Sequence, residues 1–152
     1  MRIVADPQVL RTLLERLRSL TPDSRRRWGT MTAHEMLCHL GDAAAMVTLE
    51  RPRTTPARIR SRPVVKALGL WAPVRWPRGW PSSPFLIARM DGTKPTDFAR
   101  DLARAIEGLN RIAAADPGTL EPAHGFFGVM STREWQRWAY RHTDHHLRQF
   151  GL

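Results

Sequence analysis

The run His142-Thr143-Asp144-His145-His146, close to the last residue of the sequence, carries the strongest chemical signal in it. On a helix, Trp135, Trp138, Ala139, His142, His146, Gln149 and Phe150 share one side, while Arg137, Arg141, Asp144 and Arg148 share the other. His142 and His146 therefore occupy the centre of a face that should be apolar. At i, i+4 spacing they stand about 6 Å apart along the axis on one side, so two imidazoles can converge on one ion. One helix cannot complete a coordination sphere. His39, on the shoulder of the apolar arc of an earlier helix, is the best third ligand. Three neutral imidazoles suit Zn²⁺, Ni²⁺, Fe²⁺ or Cu²⁺ and leave positions open for water or substrate. Such openness marks a catalytic site more than a structural one.

The neighbours of these histidines suggest roles. His145 sits at the edge of the same face and is placed to act as proton acceptor beside an open site. Glu35 and Asp42 flank His39 at i−4 and i+3, and either could orient its second ring nitrogen. His34-Glu35 followed by His39 invites comparison with the zinc-protease motif H-E-x-x-H, but a separation of five puts the two rings about 140° apart. A protease of that type is excluded. Cys38 points about 100° away from His39 and reads as a small buried residue. His124 lies more than two helical turns before His142, and a loop-stabilising hydrogen bond is its expected role.

Four amphipathic helices can position these residues. The first starts at Asp6-Pro7, a good N-cap followed by proline at the first helical position, and carries Leu10, Leu13, Leu14 and Leu17 on one stripe. The second opens with the capping box Thr32-x-x-Glu35 and is expected to run to about Glu50, with Met36, Leu40, Ala43 and Val47 in one arc. The third spans about Thr96 to Ala115 on a stripe that includes Phe98, Leu102, Ile106 and Leu109. The fourth opens with a second capping box, Ser131-x-x-Glu134, and closes near Gly151. No stretch reads as a convincing strand. The expected fold is an all-α four-helix bundle forming a single domain over residues 1–152.

Residues 51–90 break this pattern. They hold seven of the twelve prolines and three of the six tryptophans, a density that forbids a long helix. Val64–Leu70 could make one or two turns. The segment reads as a crossover between the second and third helices, not a second domain. It also explains the net charge of +10. Residues 1–50 and 91–152 are nearly balanced, whereas residues 51–90 carry nine basic side chains and no acidic one. Arg58, Arg60 and Arg62 would be natural partners for an acidic substrate. The alternative is a non-enzymatic binding module, whose Arg/Trp-rich crossover meets nucleic acid or an anionic membrane surface. Solvated arginines beside tryptophans that merely pack are the plainer reading, and nucleic-acid binding is therefore disfavoured.

Composition sets the remaining bounds. At 152 residues, 42% hydrophobic and 25% charged, the chain is neither fibrous nor disordered. No apolar run is long enough to span a membrane and no signal peptide is visible. A single cysteine suits a reducing cytoplasm. Surplus tryptophans are compatible with a homodimer.

Two stretches, WGTMTAHEMLCHLGD in the second helix and HTDHHLRQFG in the fourth, resemble the DinB/YfiT-like superfamily of four-helix metal proteins. Within it the chain resembles an uncharacterised branch that pairs an H-x-x-F-G turn with a Trp-rich last helix, here His124 to Gly128 and Glu134-Trp135; RLRSLTPDSRRRWG fits it too. The resemblance covers nearly the whole chain except residues 51–90. It implies an up-down-down-up bundle with a long crossover between helices two and three, and a divalent-metal site on His39, His142 and His146. Relatives with known activity include enzymes using low-molecular-weight thiols such as mycothiol, bacillithiol or glutathione, and others are described only as metal-dependent hydrolases. A small-molecule substrate is implied; its identity is not.

Overall fold

A computed structural model describes residues 1–51, 62–79 and 86–152. Four long helices dominate: α1 (Pro7–Arg18), α2 (Ala33–Val47), α4 (Phe98–Ala113) and α5 (Thr132–Gln149). Between α2 and α4 lies a short helix, α3 (Pro63–Lys66), which passes directly into a π-helical turn at Ala67–Trp71. A two-residue antiparallel pair, β1 (Ala123–His124) and β2 (Gly128–Val129), precedes α5.

The helix starts follow their caps. Asp6 accepts the backbone N–H groups of Gln8 and Val9, and both capping boxes form in full, Thr32 with Glu35 and Ser131 with Glu134. Each satisfies orphan donors of a first turn, worth about 1 kcal/mol apiece. The ends are less legible. The second helix stops at Val47, not Glu50: Leu49 takes a left-handed conformation at φ 63°, and the chain turns away into the crossover. The third is shorter at both ends than its apolar pattern suggests, because Asp97 caps it through the Arg100 N–H and the helix closes after Ala113. The expectation of no strand gives way to the small hairpin, where the long connection before α5 folds on itself.

The core draws on all four long helices: Leu13 and Leu17, Met36 and Val47, Leu109 and Ile112, Trp135 and Leu147 are almost wholly buried. The α2–α4 contact is the most extensive. Two glycines let these helices approach. A side chain on Gly108 would lie 2.5 Å from the Ala44 Cβ, and Gly41 gives the Arg104 guanidinium room to cross α2 and reach Asp42.

Helix α5 is buried nearly all round, which amphipathic reading does not anticipate. Arg137, Arg141 and Asp144, on its expected polar side, are each 8% exposed. Asp144 meets Arg16 of α1 (2.9 Å), and the crossover covers the two arginines. Arg137 donates to the carbonyl oxygens of Leu70 (2.6 Å) and Arg2 (2.6 Å), and Arg141 to those of Ala72 (2.7 Å) and Val74. Their guanidinium planes also lie over Trp71 and Trp76. Two arginines thus bind the outside of α5 to a turn that supplies carbonyls instead of carboxylates.

Three cations of the crossover are paired with acids of the helices. Arg51 meets Asp42 (2.9 Å), Lys66 meets Glu134 (2.7 Å) and Arg89 meets Glu35 (2.8 Å). Arg62 donates to the Phe126 carbonyl. Arg58 and Arg60 lie outside the described residues, so only Arg62 of the three expected substrate partners is placed. Among the described residues, no helix is long and apolar enough to cross a membrane.

Candidate metal centre

His39 projects from α2 and His142 and His146 from α5, and their rings meet. The His142 Nε2 lies 3.0 Å from the His39 Nε2 and 3.2 Å from the His146 Nε2. All three ligand atoms lie within 4.8 Å of one another, and the group could hold a metal ion. Nitrogens sharing a tetrahedral Zn²⁺ at the usual bond length sit about 3.3 Å apart, close to what is observed.

The outer nitrogens determine what the inner ones present. The His39 Nδ1 lies 2.8 Å from the Leu86 carbonyl oxygen, which can only accept, so that nitrogen carries the proton and Nε2 is a bare lone pair. The His146 Nδ1 lies 2.8 Å from the Gln149 Oε1, which sets the same tautomer. Both lone pairs therefore face the His142 Nε2, which carries one proton at most. One hydrogen cannot serve both contacts, so at least one pair of nitrogens meets without a proton between them. A metal ion between them would resolve that conflict, and the donor set fits one.

Charge agrees with this geometry. Burial pushes all three imidazoles below the usual histidine range; at His142, His146 and His39 push further the same way. The rings are neutral at pH 7 and need lose no proton to act as ligands. Trp138 stacks on His142 at 4.5 Å between ring centroids, fixing that ring on the one side where no hydrogen bond holds it among the described residues.

His145 is half-buried beside the cluster, its ring centroid 5.4 Å from that of His146. Trp28 packs edge-on against it at 4.9 Å and Trp76 lies 6.0 Å away, so two tryptophans wall its side of the site. Burial first, then the Arg148 charge, push His145 down, which keeps it unprotonated and able to accept a proton.

Glu35 and Asp42 do not orient His39. Glu35 is engaged in its capping box and by Arg89, and Asp42 accepts from the Thr93 N–H and hydroxyl and from Arg104. The partner of His39 is instead a backbone carbonyl of the crossover. A carbonyl leaves no mark in a sequence, so nothing could have singled out Leu86. Gln149 did leave one: it sits on the histidine face, three residues after His146. His34 points away from His39 and contacts Asp101, as the five-residue spacing requires. His124 has the expected loop role, its Nδ1 accepting the N–H groups of Phe126 (2.9 Å) and Phe127 (3.3 Å). Cys38 is fully buried; desolvation and the Asp101 carboxylate push its thiol up to about 12, which keeps the proton on sulfur where no cation is near.

No curated protein and no solved structure matches the chain. Residues 7–151, nearly its whole length, match the family described as Protein of unknown function (DUF1569), and the chain belongs to that family.

Proposed function

We propose that this protein is a DinB-like, single-domain, metal-dependent enzyme, an up-down-down-up four-helix bundle whose ion is held by His39, His142 and His146. The observation that carries the reading is the convergence of three Nε2 atoms, two of them stripped of their proton by partners on the far side of the ring. Three neutral ligands would leave the ion its full charge and open positions, where it supplies the Lewis acidity that makes a water or a thiol nucleophilic at neutral pH. Zn²⁺, Ni²⁺ and Fe²⁺ all suit the donor set. The reaction class is hydrolysis or transfer to a low-molecular-weight thiol.

The chain's own residues provide the rest. The Leu86 carbonyl and the Gln149 amide hold two rings in register. Trp138 holds the third by stacking. His145, neutral and open to one side, takes the proton that the nucleophile gives up. Trp28 and Trp76 exclude bulk water beside it, and Arg78, over the Trp28 ring, gives the mouth a positive charge suited to an acidic small molecule. The pairing of Arg51, Lys66 and Arg89 with helix acids leaves those cations already matched and weakens the support for a nucleic-acid surface.

Metal analysis of the purified protein beside His146→Ala, each reconstituted with Zn²⁺, Ni²⁺ or Fe²⁺, tests the proposal. The wild type should carry one equivalent of metal more than the variant and show a metal-dependent rise in melting temperature that the variant loses. Equal metal content and equal melting shifts would overturn it.

A further inference from the structure

A second group of donors lies on the other side of α2. His34 and Cys38 stand one turn apart, and both reach Asp101 in the first turn of α4. The His34 Nε2 lies 2.7 Å and the Cys38 Sγ 3.4 Å from the same carboxylate oxygen, Oδ2, onto which the Thr96 N–H also points at 3.5 Å. The three donor atoms lie within 4.8 Å of one another. Cys38 and Asp101 are buried, whereas the His34 side chain keeps 22% of its surface exposed. Among the described residues, His34 is the only basic side chain within ion-pair distance of Asp101.

We propose that His34, Cys38 and Asp101 form a second divalent-metal site, of Zn²⁺ type, that ties α2 to α4. The donor set is the argument. Sulfur, nitrogen and carboxylate oxygen together are the borderline-soft mixture that Zn²⁺ selects, and differ in kind from the all-imidazole centre. The group uses an i, i+4 pair on one helix and one residue from the facing helix, so it needs no backbone rearrangement. A buried carboxylate whose basic partner is one imidazole is a site that a dication suits electrostatically. Zn²⁺ would sit where the His34 and Cys38 protons now converge on Oδ2, requiring the short His34–Asp101 contact to open by about 0.5 Å to the separation of two ligands on one ion. The protons balance: the thiol proton leaves to solvent, and the proton that His34 now directs from Nε2 at Asp101 gives way to one on Nδ1, the nitrogen away from the ion, so that Nε2 is bare. The edge of His34 is the entry path, and its exposure leaves a fourth position to water.

The site would hold together α2 and α4, the most extensive helix contact among the described residues, with Cys38 next to His39 in the chain. Its role is that of a clamp, not of a reaction centre.

Co²⁺ substitution tests this independently of the three-histidine centre, because only a thiolate ligand gives a near-ultraviolet sulfur-to-cobalt charge-transfer band. The full-length protein loaded with Co²⁺ should show that band. Cys38→Ser should lose the band and one equivalent of metal, with His34→Gln and Asp101→Asn weakening binding at least tenfold. His146→Ala should keep the band while losing the other equivalent. Absence of the band in folded, Co²⁺-saturated wild type, or its persistence in Cys38→Ser, would overturn the proposal. The first result would leave Asp101 as the acceptor of an internal hydrogen-bond network and leave the three-histidine reading untouched.

Discussion

The tautomer of His146 rests on one side chain, so replacing Gln149 should change metal affinity without touching a ligand. In Gln149→Leu the 2.8 Å contact from the His146 Nδ1 disappears and no other described residue replaces it. The ring is then free to place its proton on Nε2, the atom that must be bare, and a buried Nδ1–H in the correct tautomer stays unpaired at a cost of about 1–3 kcal/mol. Loss of an outer partner of this kind costs about 10–100-fold in affinity, or about 1.4–2.7 kcal/mol. His39 offers the internal control, since its outer partner is a carbonyl that no substitution removes. The assay is Zn²⁺ competition against a chromophoric chelator for wild type, Gln149→Leu, Gln149→Glu and His146→Ala. Gln149→Leu should bind 10–100-fold more weakly, Gln149→Glu should recover or exceed wild-type affinity because a carboxylate accepts the same proton more strongly, and His146→Ala should lose the site. If Gln149→Leu binds as tightly as wild type while remaining folded, Gln149 does not set the tautomer and the argument from paired lone pairs is wrong.

Three further outcomes test the packing and the electrostatics. Gly108→Ala should lower the melting temperature by about 2–4 °C in thermal unfolding: the added methyl lies 2.5 Å from the Ala44 Cβ, and overpacking of about 1–3 kcal/mol outweighs about 1 kcal/mol of helix propensity; an unchanged or raised value would mean the helices can part freely. Leu49→Gly should raise it by about 2–4 °C, because Leu49 is exposed and holds φ 63°, a conformation that costs a branched residue about 1–2 kcal/mol and glycine almost nothing; denaturant titration would show the same gain, and no gain would mean the turn is unstrained. At Asp42, burial raises the carboxyl, but the bonds from Thr93 and Arg104 outweigh it and hold the group below the usual carboxylate range. A folded value below the unfolded one contributes stability that is complete above the unfolded value of about 4 and is lost as pH falls through the folded value. Asp42→Asn should therefore be less stable by about 2–3 kcal/mol at pH 7, with the gap to wild type closing below about pH 4; a gap that stays constant into acid would refute the assignment.

The parts of the molecule that follow from local periodicity are legible in the sequence. The stripe Leu13–Leu17, the two capping boxes and the i, i+4 pair His142/His146 each depend on neighbours within a few residues, and the structure has them. His39 is legible for a different reason, as a polar residue beside an apolar arc. What cannot be seen is decided at long range. Arg137 and Arg141 read as a solvated face because nothing local says that Leu70, Ala72 and Val74 will present carbonyls to them. The same holds for Leu86. Glu35 and Asp42 look well placed by spacing, yet Arg89, Arg104 and Thr93, all distant in sequence, claim them first. Asp101 completes a donor group with His34 and Cys38 only because α4 crosses α2 where it does.

The His39–His142 contact joins residues 103 positions apart. An ion held there would be a cross-link of the native fold, closing a loop that contains the crossover, α4 and the hairpin. Unlike a disulfide, the ion is released when the chain unfolds, so it would stabilise by binding the native fold alone, by about 4 kcal/mol at a free concentration a thousandfold above its Kd. The protection would be felt far from the ion, in α4 and in the turn around Leu70 and Ala72 that binds α5, as slowed amide exchange. Stripping the ion with a chelator would then act as cutting a staple does, loosening everything inside the loop at once while α1, which lies outside it, responds only through its packing.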